Sequence, residues 1–275
     1  MSEALLELDH VAKRFGRVVI AENLSFAVAP GDVVGIVGPN GAGKTSLFGL
    51  ISGDLAPDAG RISLAGREVT RLDAAARCRL GVGRTYQVPR PFGDMTVFEN
   101  LLVAAQQGAG LRRRASYTAA VEALERTGMA GQANVPADRL GLLQRKRLEL
   151  ARALATQPTL LLLDEVAGGL TDPEVAQLVT IVRGVNAEGI AVIWIEHVVR
   201  ALTPVVRRLI CLAGGKFVGD GDPGTVLADP AVREVFLGTE VTAALAGGAL
   251  DPRGSLGGSS PRMMEAPGEG ERDER

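Results

Sequence analysis

The chain has 275 residues, 46% of them hydrophobic and 23% charged, which allows one large domain or two modest ones with a substantial core. Thirty basic side chains oppose 32 acidic ones, so the charge-driven attraction to phosphate backbones is missing and no nucleic-acid partner is expected. Cys78 and Cys211 match no metal or redox spacing, and with only His10 and His197 present a histidine-built zinc centre is not expected; two distant thiols suit a reducing compartment.

The longest stretch free of Asp, Glu, Lys and Arg is Asn100–Leu111, 12 residues. A spanning helix needs roughly 20 apolar residues. Acids inside MSEALLELDH also argue against a signal peptide. The chain is therefore expected to touch a membrane only through a partner.

Taken in order, Leu5–Leu8 and Val33–Val37 read as strands, and a helix follows over Lys44–Ile51. Thr96-Val-Phe-Glu99 has the form of a capping box and predicts a helix running through Gln106. Further helices are expected over Ala115–Gly128 and Leu143–Ala155, with Arg112–Arg114 as a solvated helix start. Beyond them, Leu160–Leu163, Ile190–Ile195 and Leu209–Leu212 read as strands, separated by helices at Pro173–Asn186 and Val198–Thr203. Runs such as LLLL and IAVIWI are apolar without alternation, as in strands buried on both faces. The pattern predicts an α/β domain with a mainly parallel sheet, interrupted from about Thr96 to Thr156 by a helical insertion. Asp251–Arg275 holds five Gly, three Pro, three Ser, six acids and four arginines without an aromatic, and predicts a disordered tail. Without it the counts are 26 basic and 26 acidic, so the folded part is neutral.

Gly38-Pro39-Asn40-Gly41-Ala42-Gly43-Lys44-Thr45 matches G-x-x-x-x-G-K-[ST] between a buried strand and a helix. Glycines let successive N–H groups turn toward phosphate oxygens, and the helix adds its positive end. Lys44 then meets the β/γ-phosphates and Thr45 offers a hydroxyl to Mg²⁺. The segment predicts a nucleoside triphosphate site. Asp164-Glu165, closing the buried run Leu160–Leu163, supplies the second element: Asp164 to hold Mg²⁺ and Glu165 to polarise the attacking water.

These residues resemble the ATP-binding subunits of ABC transporters, and within them those of branched-chain amino acid importers. The likeness extends from about Leu5 to Gly238. It implies an ATPase with a P-loop NTPase (RecA-like) core, an antiparallel β part near the N-terminus and a helical subdomain. The implied division is a domain over 1–240, with core 1–92 and 157–240 and helical part 93–156, followed by a tail over 241–275. ATP and Mg²⁺ are the implied cofactors, with Ser46 completing the phosphate loop.

In GVGRTYQVPRPFGDMTVFENLLVAA, residues 81–105, Gln87 falls where the family's Mg²⁺- and γ-phosphate-sensing glutamine stands. His197 matches the switch histidine, and Asp172 in GGLTD matches the aspartate that communicates across a dimer, alongside an N-cap role ahead of Pro173. Phe15 fits the aromatic that stacks on adenine, with a core role as its rival. The family signature LSGGQ departs here to Leu140-Gly141-Leu142-Leu143-Gln144. Gly141 and Gln144 retain backbone donors toward a partner's nucleotide, but the serine hydroxyl is lost. Losing one hydrogen bond to a charged group costs about 1.5–3 kcal/mol.

The resemblance further implies transmembrane permease subunits and a second ATPase subunit, a heterodimer being favoured over a homodimer. A periplasmic solute-binding protein is implied indirectly, and the location is the cytoplasmic face of the inner membrane. The permease contact is expected near Gln87–Met95, with Pro89, Pro91 and Phe92 exposed. Lipopolysaccharide export, action on ribosomes or DNA, and a regulatory module without turnover are the alternatives.

Overall fold

The computed structural model describes residues 4–197 and 199–236. In chain order these form β1 (Leu6–Phe15), β2 (Val18–Val28), β3 (Val33–Val37), α1 (Lys44–Ser52), β4 (Ala59–Leu64), β5 (Arg67–Glu68), α2 (Ala74–Arg79) and β6 (Val82–Arg84). Next come α3 (Val97–Val103), a π-helical turn (Ala104–Gly108), α4 (Arg114–Thr127), two short 3-10 turns and α5 (Leu142–Ala155). The chain then returns through β7 (Leu160–Asp164), α6 (Asp172–Ala187), β8 (Ala191–Ile195), α7 (Val199–Leu202), β9 (Arg208–Ala213), β10 (Lys216–Gly221), α8 (Pro223–Ala228) and α9 (Pro230–Phe236).

A six-stranded sheet has the order β10-β9-β3-β8-β7-β6. All its pairings are parallel except the antiparallel edge strand β10 on β9. A separate antiparallel sheet has the order β2-β1-β4-β5. The buried runs divide between two cores by strand period. Leu161 and Leu163 of β7, Val192 and Trp194 of β8, and Val33 and Val37 of β3 join the helices α3–α6 in one apolar cluster. Their alternates, Leu160, Leu162, Ala191, Ile193, Ile195, Val34 and Ile36, pack with α1 and the antiparallel sheet in the other. Unalternating apolar sequence is what a sheet covered on both faces requires.

Several expectations shift. The first strand runs Leu6–Phe15 and not only Leu5–Leu8. Its pairing with β2 slips between Leu8 and Val11, where His10 has φ 52, so a bulge breaks the apolar alternation that would have revealed the strand. The helix capped by Thr96 ends as an α-helix at Val103 and widens into the π turn. That turn brings Gly108 against α5, where a Cβ would lie 2.6 Å from Thr156 Cγ2. Thr171, not Asp172, caps α6: Glu174 accepts from the Thr171 amide at 2.8 Å and its hydroxyl at 2.7 Å. Pro89 and Pro91 are half-buried, leaving Phe92 exposed. The helix expected at Val198–Thr203 is Val199–Leu202, and the tail expected over 241–275 lies outside the described residues.

Candidate functional site

Parallel order places the carboxyl ends of β3, β8, β7 and β6 side by side, and the segments singled out by sequence leave from those ends. Gly38–Gly43 joins β3 to α1. Gly43, with φ 100, stands so close to β2 that a Cβ would lie 2.6 Å from Ile20 O, so only glycine fits this curl. Among the described residues no side chain caps α1, and no acid stands in its first turn, which leaves its leading N–H groups to an external anion. Lys44 is buried, and its ammonium donates to Gly38 O at 2.8 Å and Pro39 O at 3.0 Å. Burial lowers its pKa, opposed by the nearby Glu165 and Asp164 charges. Thr45 is exposed in the first turn of α1 and Ser46 half-buried.

Asp164 ends β7 almost fully buried, and burial raises its pKa against the pull of Arg84. Arg84 reaches Asp164 Oδ2 at 3.3 Å and also pairs with Asp54 at 2.7 Å. Asp164 Oδ1 is buried with no hydrogen-bond partner among the described residues. A free carboxylate oxygen beside a phosphate-type loop fits a hard divalent cation such as Mg²⁺.

Glu165 has φ 47, a left-handed backbone rare for a side-chain-bearing residue. Its N–H donates to Ile195 O at 2.9 Å, tying the end of β7 to β8. Gln87 Nε2 donates to Glu165 Oε2 at 2.6 Å, and His197 Nδ1 stands 3.7 Å from the same oxygen. Gln87, Glu165 and His197 thus converge from three strand ends. A carboxylate flanked by an amide donor and an imidazole can accept a proton from a water aimed between them.

Other expected residues stay apart. Phe15 is 50% exposed at the end of β1, under Lys13 Nζ at 5.4 Å from its ring centroid, which rules out the core role and leaves a face open to solvent. Gly141 caps α5 without a side-chain hydrogen bond, and neither it nor Gln144 shares a hydrogen bond with the P-loop among the described residues. Leu142 is 48% exposed, its Cδ2 3.3 Å from where a Cβ on Gly169 would stand. Asp172 pairs at the surface with Arg200 at 2.8 Å.

Three contributors escaped sequence reasoning: Arg84, Lys146 and Glu196. Glu196 is fully buried, accepts from Ala167 N at 2.7 Å and Trp194 Nε1 at 3.2 Å, and so supports the loop after Glu165. Lys146 reaches the backbone carbonyls of Gln87 and Glu165. The available signal was position: Lys146 falls three residues after Leu143 and four before Leu150, on the apolar side of α5.

Comparison with known proteins bears on the family and the fold. The family model described as ABC transporter matches residues 21–168. The high-affinity branched-chain amino acid transport ATP-binding protein LivG of Escherichia coli (strain K12) is 33% identical over 253 residues, covering 86% of this chain and 99% of LivG. The lipopolysaccharide export system ATP-binding protein LptB of Acidithiobacillus ferridurans is 35% identical over 240 residues, covering 87% of this chain and 99% of LptB. Among solved structures, a nucleotide-free ATP-binding cassette from an ABC transporter superposes with a TM-score of 0.80 at 28% identity, covering 85% of this chain and 99% of that one. A cassette in its ADP conformation gives 0.79 at 28% identity, covering 86% and 99%.

Proposed function

We propose the function from one premise: this chain belongs to the ABC transporter family of ATP-binding subunits, which hydrolyse ATP and work with transmembrane permease components. The proposed role is energising uptake of branched-chain amino acids or a related small solute from the cytoplasmic face of the inner membrane. The observation that carries the chemistry is the meeting of Gln87, Glu165 and His197 beside the P-loop.

In this reading Gly38–Ser46 cradle the triphosphate and Lys44 moves its ammonium from the loop carbonyls to the phosphates. Glu165 accepts the proton of the attacking water, Gln87 and His197 orient that water, and Phe15 offers its open face to the adenine. Thr45, Gln87 and Asp164 are the groups to hold Mg²⁺, which when bound supplies neutralising charge to the phosphate oxygens. The domain spans 1–240, with the helical part at 93–156 presenting α5 to a second subunit.

Gly141 and Gln144 contribute the backbone end of α5 to the partner's nucleotide, and Asp172 faces the dimer seam. An exposed Leu142 where the family has glycine crowds that approach, which supports a heterodimer in which a second ATPase subunit supplies a complete signature. The exposed Phe92, Val88 and Met95 suit the permease contact, and a periplasmic solute-binding protein acts upstream. A second reading, lipopolysaccharide export, is supported by the likeness to LptB.

The test is purification of the chain with its membrane partners, followed by a solute screen of the binding protein encoded with them. Binding of leucine, isoleucine or valine supports import. Retention of lipopolysaccharide by the purified assembly, with no solute-binding component, supports export and overturns it.

A further inference from the structure

Lys146 sits on the fifth residue of α5, 5% exposed, in an otherwise arginine-rich helix start. Burying an ammonium is costly unless its protons are used. Here Nζ donates to Gln87 O at 3.1 Å and to Glu165 O at 3.1 Å. Burial pulls its pKa down, and the charges of Glu196, Glu165, Asp164 and Glu149 oppose that shift.

The two carbonyls belong to the same residues whose side chains bond each other at 2.6 Å. A closed ring results: ammonium to Gln87 backbone, Gln87 amide to Glu165 carboxylate, Glu165 backbone to ammonium. Gln87 and Glu165 follow neighbouring strands β6 and β7, whereas Lys146 comes from the helical part of the chain. Its Cα lies about 6 Å along the helix from the first residue of α5. The same helix grips the loop again farther on, where Arg152 donates to Arg90 O at 2.9 Å and stands 5.4 Å from the centroid of the Phe92 ring.

We propose that Lys146 is a positioning residue: it sets Gln87 against Glu165 and passes their arrangement to the signature end of α5. The inference rests on the roles proposed above for Gln87 and Glu165. Ligand-driven movement of either residue displaces a carbonyl held by Lys146, and the start of α5 must follow.

Hydrogen–deuterium exchange of the full chain with and without Mg-ATP tests this. In the parent, Mg-ATP is expected to slow exchange at 38–46, 86–92 and 142–150 together. In Lys146→Met the first segment keeps its protection, whereas the ATP-dependent change at 142–150 is lost. Lys146→Arg, which restores a charged donor, is expected to recover it. Steady-state ATPase of the same variants should show kcat reduced about tenfold to a hundredfold in Lys146→Met with KM within about twofold of the parent. Parental coupling between 86–92 and 142–150 in Lys146→Met overturns the inference while leaving the proposed function standing. No protection at 38–46 in the parent overturns both. Should Lys146→Met fail to fold, Lys146→Gln, with a shorter neutral donor, is read against the same two outcomes.

Discussion

Gln87 donates its side-chain amide to Glu165 across 2.6 Å, although 78 residues separate them. The bond joins the loop after β6 to the end of β7 and leaves His197 3.7 Å from the same carboxylate oxygen. Glu165→Gln is expected to lower kcat for ATP hydrolysis by about 10²–10⁴, the range for loss of a general base, with Mg-ATP affinity nearly unchanged. Turnover assays beside calorimetry read the two separately. Undiminished turnover would remove Glu165 from the chemistry.

Lys44 holds two carbonyls of its own loop, Gly38 O and Pro39 O, with a buried ammonium. Charge-assisted hydrogen bonds are worth about 1.5–3 kcal/mol, so Lys44→Ala should weaken Mg-ATP binding about tenfold to a hundredfold. Isothermal calorimetry checks this, and a parental Kd would contradict the phosphate role.

Arg77 is a structural anchor rather than a site residue. Its guanidinium, 1% exposed as part of a buried side chain, donates to Leu50 O at 2.5 Å, Ile51 O at 2.9 Å, Thr70 O at 3.1 Å and Leu72 O at 3.1 Å. It closes the carboxyl end of α1, the helix that opens with Lys44. Arg77→Ala leaves those carbonyls without donors and should cost about 2–4 kcal/mol, seen as a Tm lower by about 5–15 °C. A Tm within a degree or so of the parent would show that water replaces the guanidinium without loss.

Glu196 carries a pH signature. Burial raises its pKa above the ordinary 4.5, against the hydrogen bonds from Ala167 N and Trp194 Nε1 and the nearby His197, and Glu165 pushes the same way as burial. The folded state therefore holds the proton more tightly than the unfolded chain. The stabilising contribution is complete below about pH 4.5 and falls as pH rises toward the folded-state pKa. Glu196→Gln keeps an acceptor for Ala167 N and Trp194 Nε1 but cannot ionise. Melting curves from pH 4.5 to 8 should fall less steeply for the variant than for the parent. Parallel curves would mean that Glu196 gains no penalty from burial.

The signature can be restored in part without touching the core. Leu142 is half-exposed, and a Cβ added at Gly141 would meet only the flexible end of Gln144, at 2.9 Å. Gly141→Ser with Leu142→Gly should raise ATP turnover of the isolated chain several-fold and promote ATP-dependent dimers, measured by light scattering. Equal turnover in parent and variant would mean that Leu142 hinders nothing.

Local chemistry made much of this protein legible in its sequence. The P-loop was readable because its glycines, Lys44 and Thr45 act over eight consecutive residues between a strand and a helix. Unalternating runs announced a sheet covered on both faces, and Thr96–Glu99 announced the start of α3, where both bonds of the capping box are present. The bulge at His10 disturbs the period of β1, so its apolar run marks only part of the strand, and β2 and β10, with exposed faces, carry apolar runs too weak to mark them.

What only the tertiary structure decided was adjacency. Nothing in a chain states that Lys146 leaves a surface-like Arg-Lys-Arg segment for the junction of Gln87 and Glu165, or that Arg84 crosses to Asp164. A buried charge looks like a solvated one until its partners are placed, because its partners lie tens of residues away and are in part backbone carbonyls with no side-chain identity to read.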